Sequence, residues 1–199
     1  MLKRAFDIVF SAGWLIGFAP LLLVVAILVR LKLGSPVLFI QERPGLRARP
    51  FRMVKFRTMT DERGPDGELL PDEQRLTPFG KFLRSSTLDE FPEMWNVLIG
   101  DMSVIGPRPL LMRYVPRYSP FQARRMELKP GVTGWAQVNG RNLLTWEEKF
   151  ALDVWYVDHR TFWLDMKIVV MTFFKVFARS GMDAAHGGAV EEFRGAEKR

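Results

Sequence analysis

Two adjacent carboxylates, Asp89 and Glu90 in the run Ser85-Ser86-Thr87-Leu88-Asp89-Glu90-Phe91-Pro92, are the side chains of this sequence best placed to do chemistry. A carboxylate at the start of a helix stays ionised at neutral pH, which attack on phosphorus and ligation of magnesium both require. The same residues also read as a helix cap. Thr87 and Glu90 fit a capping box, but that assignment puts Pro92 at the fifth helical position, where its missing N–H costs a bond. With Asp89 as the cap, Pro92 falls in the permissive first turn. Both assignments stay open at the level of sequence.

The cations nearest these carboxylates in kind are Lys55, Arg57, Arg84, Arg108 and Arg141, each beside turn-forming or apolar residues. Arg108 sits between Pro107 and Pro109 after Gly106, a backbone restricted enough to hold its side chain at one angle. Pre-aimed guanidinium groups suit phosphate oxygens through forked hydrogen bonds, so the set is expected to form a diphosphate site, although each taken alone also reads as a solvated surface charge. Other chemistries lack their parts. His159 and His186 are far apart with no paired helical histidines, there is no cysteine, and no nucleophile elbow, phosphate loop or dinucleotide fingerprint occurs.

Something must position these residues, and 199 residues with 48% apolar content allow one ordinary domain with a core. The formal charge of +7 favours anionic partners without choosing among nucleic acid, acidic lipid and phosphorylated substrates. From Ile8 to Val29 the chain carries no charge, a length that as a straight helix just crosses a bilayer core. Pro20 breaks that run after Gly13 and Gly17, and Lys3 and Arg4 before it match Arg30 and Lys32 after it, so the positive-inside rule puts both ends on one side. A helix-break-helix that enters and returns satisfies both signals; a kinked span and a buried soluble helix are the alternatives. Beyond it, Val37–Ile40 and Phe51–Phe56 read as short strands around a turn at Pro44-Gly45. Residues 60–78 read as a long loop, either a lid or a solvated connection. Helices are expected over 79–84, 91–98, 146–156 and 162–179, the second with Phe91, Met94, Trp95 and Leu98 on one face, the last lying against a core or an interface. The polar tail from Gly181 is expected to be loosely ordered.

Five segments then recur in order: Gln41-Glu42-Arg43-Pro44-Gly45, Lys55-Phe56-Arg57-Thr58-Met59, Leu88-Asp89-Glu90-Phe91-Pro92, Gly100-Asp101-Met102-Ser103-Val104-Ile105-Gly106-Pro107-Arg108-Pro109 and Pro130-Gly131-Val132-Thr133-Gly134-Trp135-Ala136-Gln137-Val138-Asn139-Gly140-Arg141. Together they resemble the bacterial sugar transferases, the monotopic phosphoglycosyl transferases, over nearly the whole chain. Trp135 departs from the pattern, which often has leucine there. Within the family the chain is most similar to the transferases that start protein N-glycan assembly with diacetylbacillosamine phosphate, through Asp61-Glu62-Arg63, Asp66-Gly67-Glu68-Leu69-Leu70-Pro71-Asp72 and Arg179-Ser180-Gly181.

The resemblance implies an α+β, mainly helical fold: a re-entrant membrane helix over 1–34 broken at Pro20, a catalytic domain over 35–182 with interfacial helices and short strands, and a tail over 183–199. It places the chain at the cytoplasmic face of the bacterial inner membrane. It implies that Asp89 attacks the β-phosphate of a UDP-sugar, releases UMP and holds the sugar phosphate until polyprenyl phosphate takes it. Glu90 is implied as its acidic partner and, with Asp89, as a ligand of Mg2+. Lys55, Arg84, Arg108, Arg141 and Asp153 are implied in substrate binding or its support. UDP-diacetylbacillosamine or another N-acetylated hexose is the expected donor, with UDP-glucose or UDP-galactose as the alternative. Membrane lipid and downstream glycosyltransferases are the other expected partners, and nucleic acid is not. The rival from another class is a non-enzymatic membrane-surface module in which Asp89 and Glu90 merely cap a helix.

Overall fold

The uncharged run folds as two helices in the computed structural model, which describes residues 2–140, 144–177 and 192–195. Helix α1 (Leu2–Gly17) and helix α2 (Ala19–Leu33) meet at Phe18 with a bend of 62°. Pro20 lies in the first turn of α2, where its lack of an N–H costs nothing, while its ring forbids continuation of the α1 ladder. The break therefore falls just before the proline. Among the described residues no single helix is long and apolar enough to cross a membrane, but this bent pair passes on length and composition together.

The polarity of α1 is turned inside out. Leu2, Val9 and Ile16, spaced by seven along the helix, are 65–76% exposed, whereas Asp7 and Ser11 are buried against the rest of the protein. Asp7 Oδ1 accepts hydrogen bonds from Ser103 Oγ and the Val104 N–H, both at 3.0 Å. Arg4 donates to the carbonyls of Val97 and Leu98 at 2.7 Å, and Lys3 pairs with Asp165 at 2.9 Å. These polar contacts fasten an otherwise lipid-like helix to the domain. Replacing Asp7 with Leu strands two buried donors and is expected to cost about 3 kcal/mol, against about 1 kcal/mol for Asn, which keeps an acceptor. Thermal unfolding in detergent checks this; equal losses for the two variants would show that the bonds contribute nothing.

After α2 the chain forms a hairpin of β1 (Leu38–Pro44) and β2 (Pro50–Phe56), antiparallel with Leu38 opposite Phe56 and Pro44 opposite Pro50. Phe51 and Met53 alternate inward, with Arg52 outward between them. Residues 60–78 are more structured than a loop reading allows: bridges join Met59 to Leu76 and Arg63 to Leu69, and a one-turn helix α3 (Asp72–Arg75) carries Arg75, which donates to the carbonyls of Leu70 at 2.8 Å and Thr60 at 3.3 Å. Helix α4 (Pro78–Ser85) is capped by Thr77, and α5 (Glu93–Ile99) ends at Gly100, whose φ of 98° suits glycine. The parallel pair β3 (Ser103–Ile105) and β4 (Gly131–Thr133) brackets α6 (Pro120–Ala123). Helices α7 (Trp135–Asn139), α8 (Trp146–His159) and α9 (Phe162–Phe177) complete the mainly helical α+β architecture.

The main core joins Phe51 and Met53 of β2, Met94 and Val97 of α5, Val104 and Ile105 of β3, Tyr156 of α8 and Ile168 of α9, and Phe6, Phe10 and Trp14 of α1 pack onto it. The buried face of α5 thus carries Met94 and Val97 with polar Glu93 and Asn96, while Trp95 and Ile99 face outward. The 91–98 helix expected from sequence placed Trp95 inward; the turn inserted ahead of Pro92 rotates the stripe. On α9, Trp163, Val170, Phe173 and Phe174 are exposed on the outer face. In the carboxy-terminal stretch Phe193 is buried against Tyr114, Tyr118, Trp146 and Phe150, which its polar surroundings in sequence did not announce.

Candidate active site

The end of β2, the turn before α5 and the loop after β3 converge. Asn96 draws β2 against α5: its Oδ1 accepts from the Val54 N–H at 3.0 Å and its Nδ2 donates to the Arg52 carbonyl at 2.8 Å. Lys55, next in β2, therefore faces the start of α5. On the other side Gly80 lets α4 press against the strand exit, since a Cβ there would lie 1.8 Å from the Thr58 carbonyl oxygen. That approach brings Arg84 Nε within 3.0 Å of Thr58 Oγ1. The loop carrying Arg108 is fixed by glycines too: a Cβ on Gly131 would sit 2.0 Å from the Gly106 nitrogen, and Gly106 N–H donates to the Thr133 carbonyl at 2.9 Å.

Between these supports lie the two carboxylates, and neither capping assignment describes them. Thr87 adopts φ 62°, a left-handed conformation that costs a β-branched residue about 1–3 kcal/mol, and makes no side-chain cap. It starts a 3-10 turn, Leu88–Glu90, and Pro92 then precedes α5. The carboxylates are presented from a separate tight turn rather than from a helix cap.

Glu90 is clasped. Its Oε1 accepts from Lys55 Nζ at 2.8 Å and from Arg108, which also reaches Oε2 at 3.3 Å. Burial alone would raise this carboxyl, but Arg108 and Lys55 outweigh it and hold Glu90 well below the ordinary range. Lys55 is shared with Glu93, at 2.9 Å, whose carboxyl is 3% exposed and is pushed up by burial and by Glu90. Asp89 is different. It is buried, its Oδ1 has no hydrogen-bond partner, and its carboxyl is pushed up to about 6, first by burial and then by Glu90, against the pull of Lys55, Arg84 and Arg108. One carboxylate is ion-paired to two cations and its neighbour is left with an open oxygen.

Asp89, Glu90, Lys55, Arg84 and Arg108 therefore come together. Asp153 does not join them: it is buried on α8 and accepts from Arg125 Nε at 2.9 Å and Nη2 at 2.7 Å, while Nη2 also donates to the Arg108 carbonyl at 2.7 Å. Its reach to the site is through Arg125 and the Arg108 backbone. Arg57 is also turned elsewhere, donating to the carbonyls of Met59 and Ser35 and pairing with Asp61 at 2.5 Å. Arg141 lies outside the described residues. Glu93, Asn96 and Arg125 were missed from sequence. The only signal for Glu93 and Asn96 is their spacing of three and six from Glu90, which places them on one side of the turn and helix.

Among the described residues no three metal-ligating side chains cluster. Magnesium, however, is ordinarily held by one or two carboxylates, with water and substrate phosphate filling its remaining positions. The unpaired Asp89 Oδ1 fits that demand, and Glu90 Oε2, touched only by Arg108 at 3.3 Å, offers the second oxygen.

Residues 1–179 match the model of the family described as bacterial sugar transferase. The chain is 52% identical over 195 residues to a protein described as an uncharacterized sugar transferase, EpsL, of Bacillus subtilis (strain 168), covering 98% of this chain and 96% of that one. It is 40% identical to the UDP-glucose:undecaprenyl-phosphate glucose-1-phosphate transferase of Klebsiella pneumoniae, over 88% of this chain and 40% of that protein. It is 38% identical to the galactosyl transferase CpsE of Streptococcus agalactiae serotype III (strain NEM316), over 74% and 36%. The chain thus spans about two-fifths of the length of these last two relatives.

Proposed function

This chain belongs to the bacterial sugar transferase family, and on that premise we propose that it transfers a hexose 1-phosphate from a UDP-hexose to undecaprenyl phosphate at the membrane, releasing UMP. The observation that carries the reading is the contrast within the carboxylate pair: Asp89, with an unpaired oxygen among cations, beside Glu90, whose Oε1 is held by both Lys55 and Arg108. Asp89 Oδ1 attacks the β-phosphorus, forming an acyl phosphate and breaking the bond to the bridging oxygen, which leaves with UMP. The acceptor's phosphate oxygen then attacks the same phosphorus and frees Asp89. Burial strips water from the nucleophile, while Lys55, Arg84 and Arg108 offset the charge of the diphosphate. Asp89 and Glu90 would hold magnesium, which when bound supplies Lewis-acid neutralisation of the diphosphate.

The names of the relatives favour glucose or galactose over diacetylbacillosamine as the donor sugar. In the segment 61–72 that pointed to diacetylbacillosamine, Arg63 donates to the Gly67 carbonyl, Asp66 accepts from the Glu68 N–H, Asp61 pairs with Arg57 and Asp72 with Arg75, so these four side chains are engaged within 57–75. Arg179-Ser180-Gly181 lies outside the described residues. UMP release measured with undecaprenyl phosphate and a panel of UDP-sugars tests the proposal. UDP-glucose or UDP-galactose is expected to be turned over fastest, and preference for UDP-diacetylbacillosamine would overturn the sugar assignment.

The helix pair is read as entering and leaving one leaflet. From the 62° bend and a rise of 1.5 Å per residue, symmetric insertion carries Phe18 to about 12 Å below the plane of the two ends, less than half of a core about 30 Å thick. Phe91, beside the carboxylates, touches Trp14 and Phe18 at ring distances of 4.9 and 5.5 Å, which ties the reacting centre to the membrane segment.

The nucleophile must be ionised, and burial, then Glu90, pushes the Asp89 carboxyl up to about 6. The kcat/KM for the UDP-sugar is therefore expected to fall about tenfold per pH unit below 6. A limb near pH 4 would contradict burial as the dominant influence on Asp89.

A further inference from the structure

We propose that the cavity between the amino-terminal end of α1, β3 and the start of α9 binds the headgroup of an anionic phospholipid, separate from the reacting centre; the proposal rests on the membrane reading above. The cavity measures about 450 Å³ and its lining includes Lys3, Arg4, Lys129 and Arg160 with apolar Leu2 and Phe162. The acids that share the lining are already engaged. Asp7 accepts from Ser103 and Val104, Asp165 accepts from the Tyr156 hydroxyl at 2.5 Å and pairs with Lys3, and Glu127 accepts from Arg124 at 3.2 Å. Arg4 spends its hydrogen bonds on two carbonyls, so its charge meets no carboxylate. Among the described residues neither Lys129 nor Arg160 has an acidic group within ion-pair distance. The cavity keeps an excess of positive charge that an anion would answer.

Its depth identifies the anion. Leu2, Lys3 and Arg4 open the apolar segment, and basic residues flanking such a segment lie at the level of the headgroups. Trp163, adjoining Phe162, is 79% exposed, the side chain typical of that same level. A phosphodiester reaching Lys129 and Arg160 would leave its acyl chains beside Leu2 and the exposed stripe of α1. The acceptor phosphate does not fit here, because it must reach phosphorus on Asp89. A Cβ on Gly100 would lie 3.2 Å from Arg4 and 3.4 Å from Lys129, so these cations sit at the carboxy-terminal end of α5, whereas Asp89 precedes its other end. The length of α5 alone puts about 10 Å between them.

The test titrates the full chain in detergent with dioctanoyl phosphatidylglycerol and counts retained lipid by native mass spectrometry. A single retained lipid is expected, with dioctanoyl phosphatidylcholine held far more weakly. The double variant Lys129→Gln/Arg160→Gln should weaken retention by roughly thirtyfold, the loss expected for two basic residues beside an anionic headgroup. Its thermal midpoint and its UMP release should match the unaltered protein. Unchanged retention in the double variant would overturn the proposal. So would displacement of the lipid by millimolar inorganic phosphate, which marks a free-phosphate site, or by undecaprenyl phosphate, which marks the acceptor's own site. Because binding is read without turnover, absence of transferase activity would sink the proposed function and leave this result standing.

Discussion

Asp89→Asn is expected to abolish UMP release and, at the same time, to make the protein more stable at pH 8. The loss follows if Asp89 is the attacking group, since an amide cannot form the acyl phosphate. The gain follows from the environment of the carboxylate. Its ordinary value of 3.8 is raised to about 6 in the folded protein, by burial first and by Glu90 second. A folded value above the unfolded one means that the folded state binds the extra proton, so this group favours folding least at high pH. The penalty grows as pH rises from about 4 to about 6 and is then constant, at about 2–3 kcal/mol. Asn carries no such penalty and keeps nearly the same shape. Thermal unfolding of the two proteins should therefore diverge with pH, the variant gaining at pH 8 and matching at pH 4. A variant that is inactive and less stable at pH 8 would mean that Asp89 is there to support the fold.

Lys55→Met should damage both stability and rate, and the two losses should separate. Lys55 lies 2.8 Å from Glu90 and 2.9 Å from Glu93, with the Glu93 carboxyl 3% exposed. Arg108 still answers Glu90 when Lys55 is removed, so Glu93 is the group left buried without a counter-charge. Removing one partner of such a pair costs about 3–5 kcal/mol. Adding Glu93→Gln removes the stranded charge, so the double variant should regain most of that stability. The rate should not return, because in the proposed mechanism Lys55 also offsets phosphate charge; a loss of about a hundredfold or more is expected in both variants. Recovery of rate together with stability would assign Lys55 a purely structural part.

The parts of this molecule that could be read from the sequence are those governed by local rules. An uncharged run between basic pairs, interrupted by Pro20, sufficed to anticipate a bent helix pair, because a proline breaks a helix whatever surrounds it. The position of the break at Phe18 needed only the rule that proline tolerates a first turn. Around Asp89 local rules failed. Both capping assignments assumed a helix beginning between Thr87 and Asp89, but Thr87 takes a left-handed conformation that no propensity favours for it, with its N–H donating to the Arg84 carbonyl and its carbonyl accepting from the Glu90 N–H. Glu93 was invisible for a related reason. An acidic residue in the first turn of a helix reads as a partner for the dipole, and only the approach of β2 makes it a buried ligand of Lys55. Asp153 illustrates the converse, a carboxylate carried over by family likeness whose contact with the site runs through Arg125 and a backbone carbonyl.

In the proposed mechanism the same contrast between Glu90 and Asp89 sets the order of events. On the proposed mechanism Glu90, ion-paired to Lys55 and Arg108, holds both in place before substrate arrives, so the cations need not be collected during the reaction. Asp89 keeps a buried oxygen with no hydrogen-bond partner. The most direct measurement is the intact mass of the protein after incubation with UDP-glucose or UDP-galactose and magnesium in the absence of undecaprenyl phosphate. A gain of one hexose phosphate per chain is expected, matched by UMP, located by peptide mapping at Asp89 and discharged when undecaprenyl phosphate is added. An unmodified chain that nonetheless transfers the sugar phosphate once both substrates are present would contradict it and establish direct in-line transfer instead.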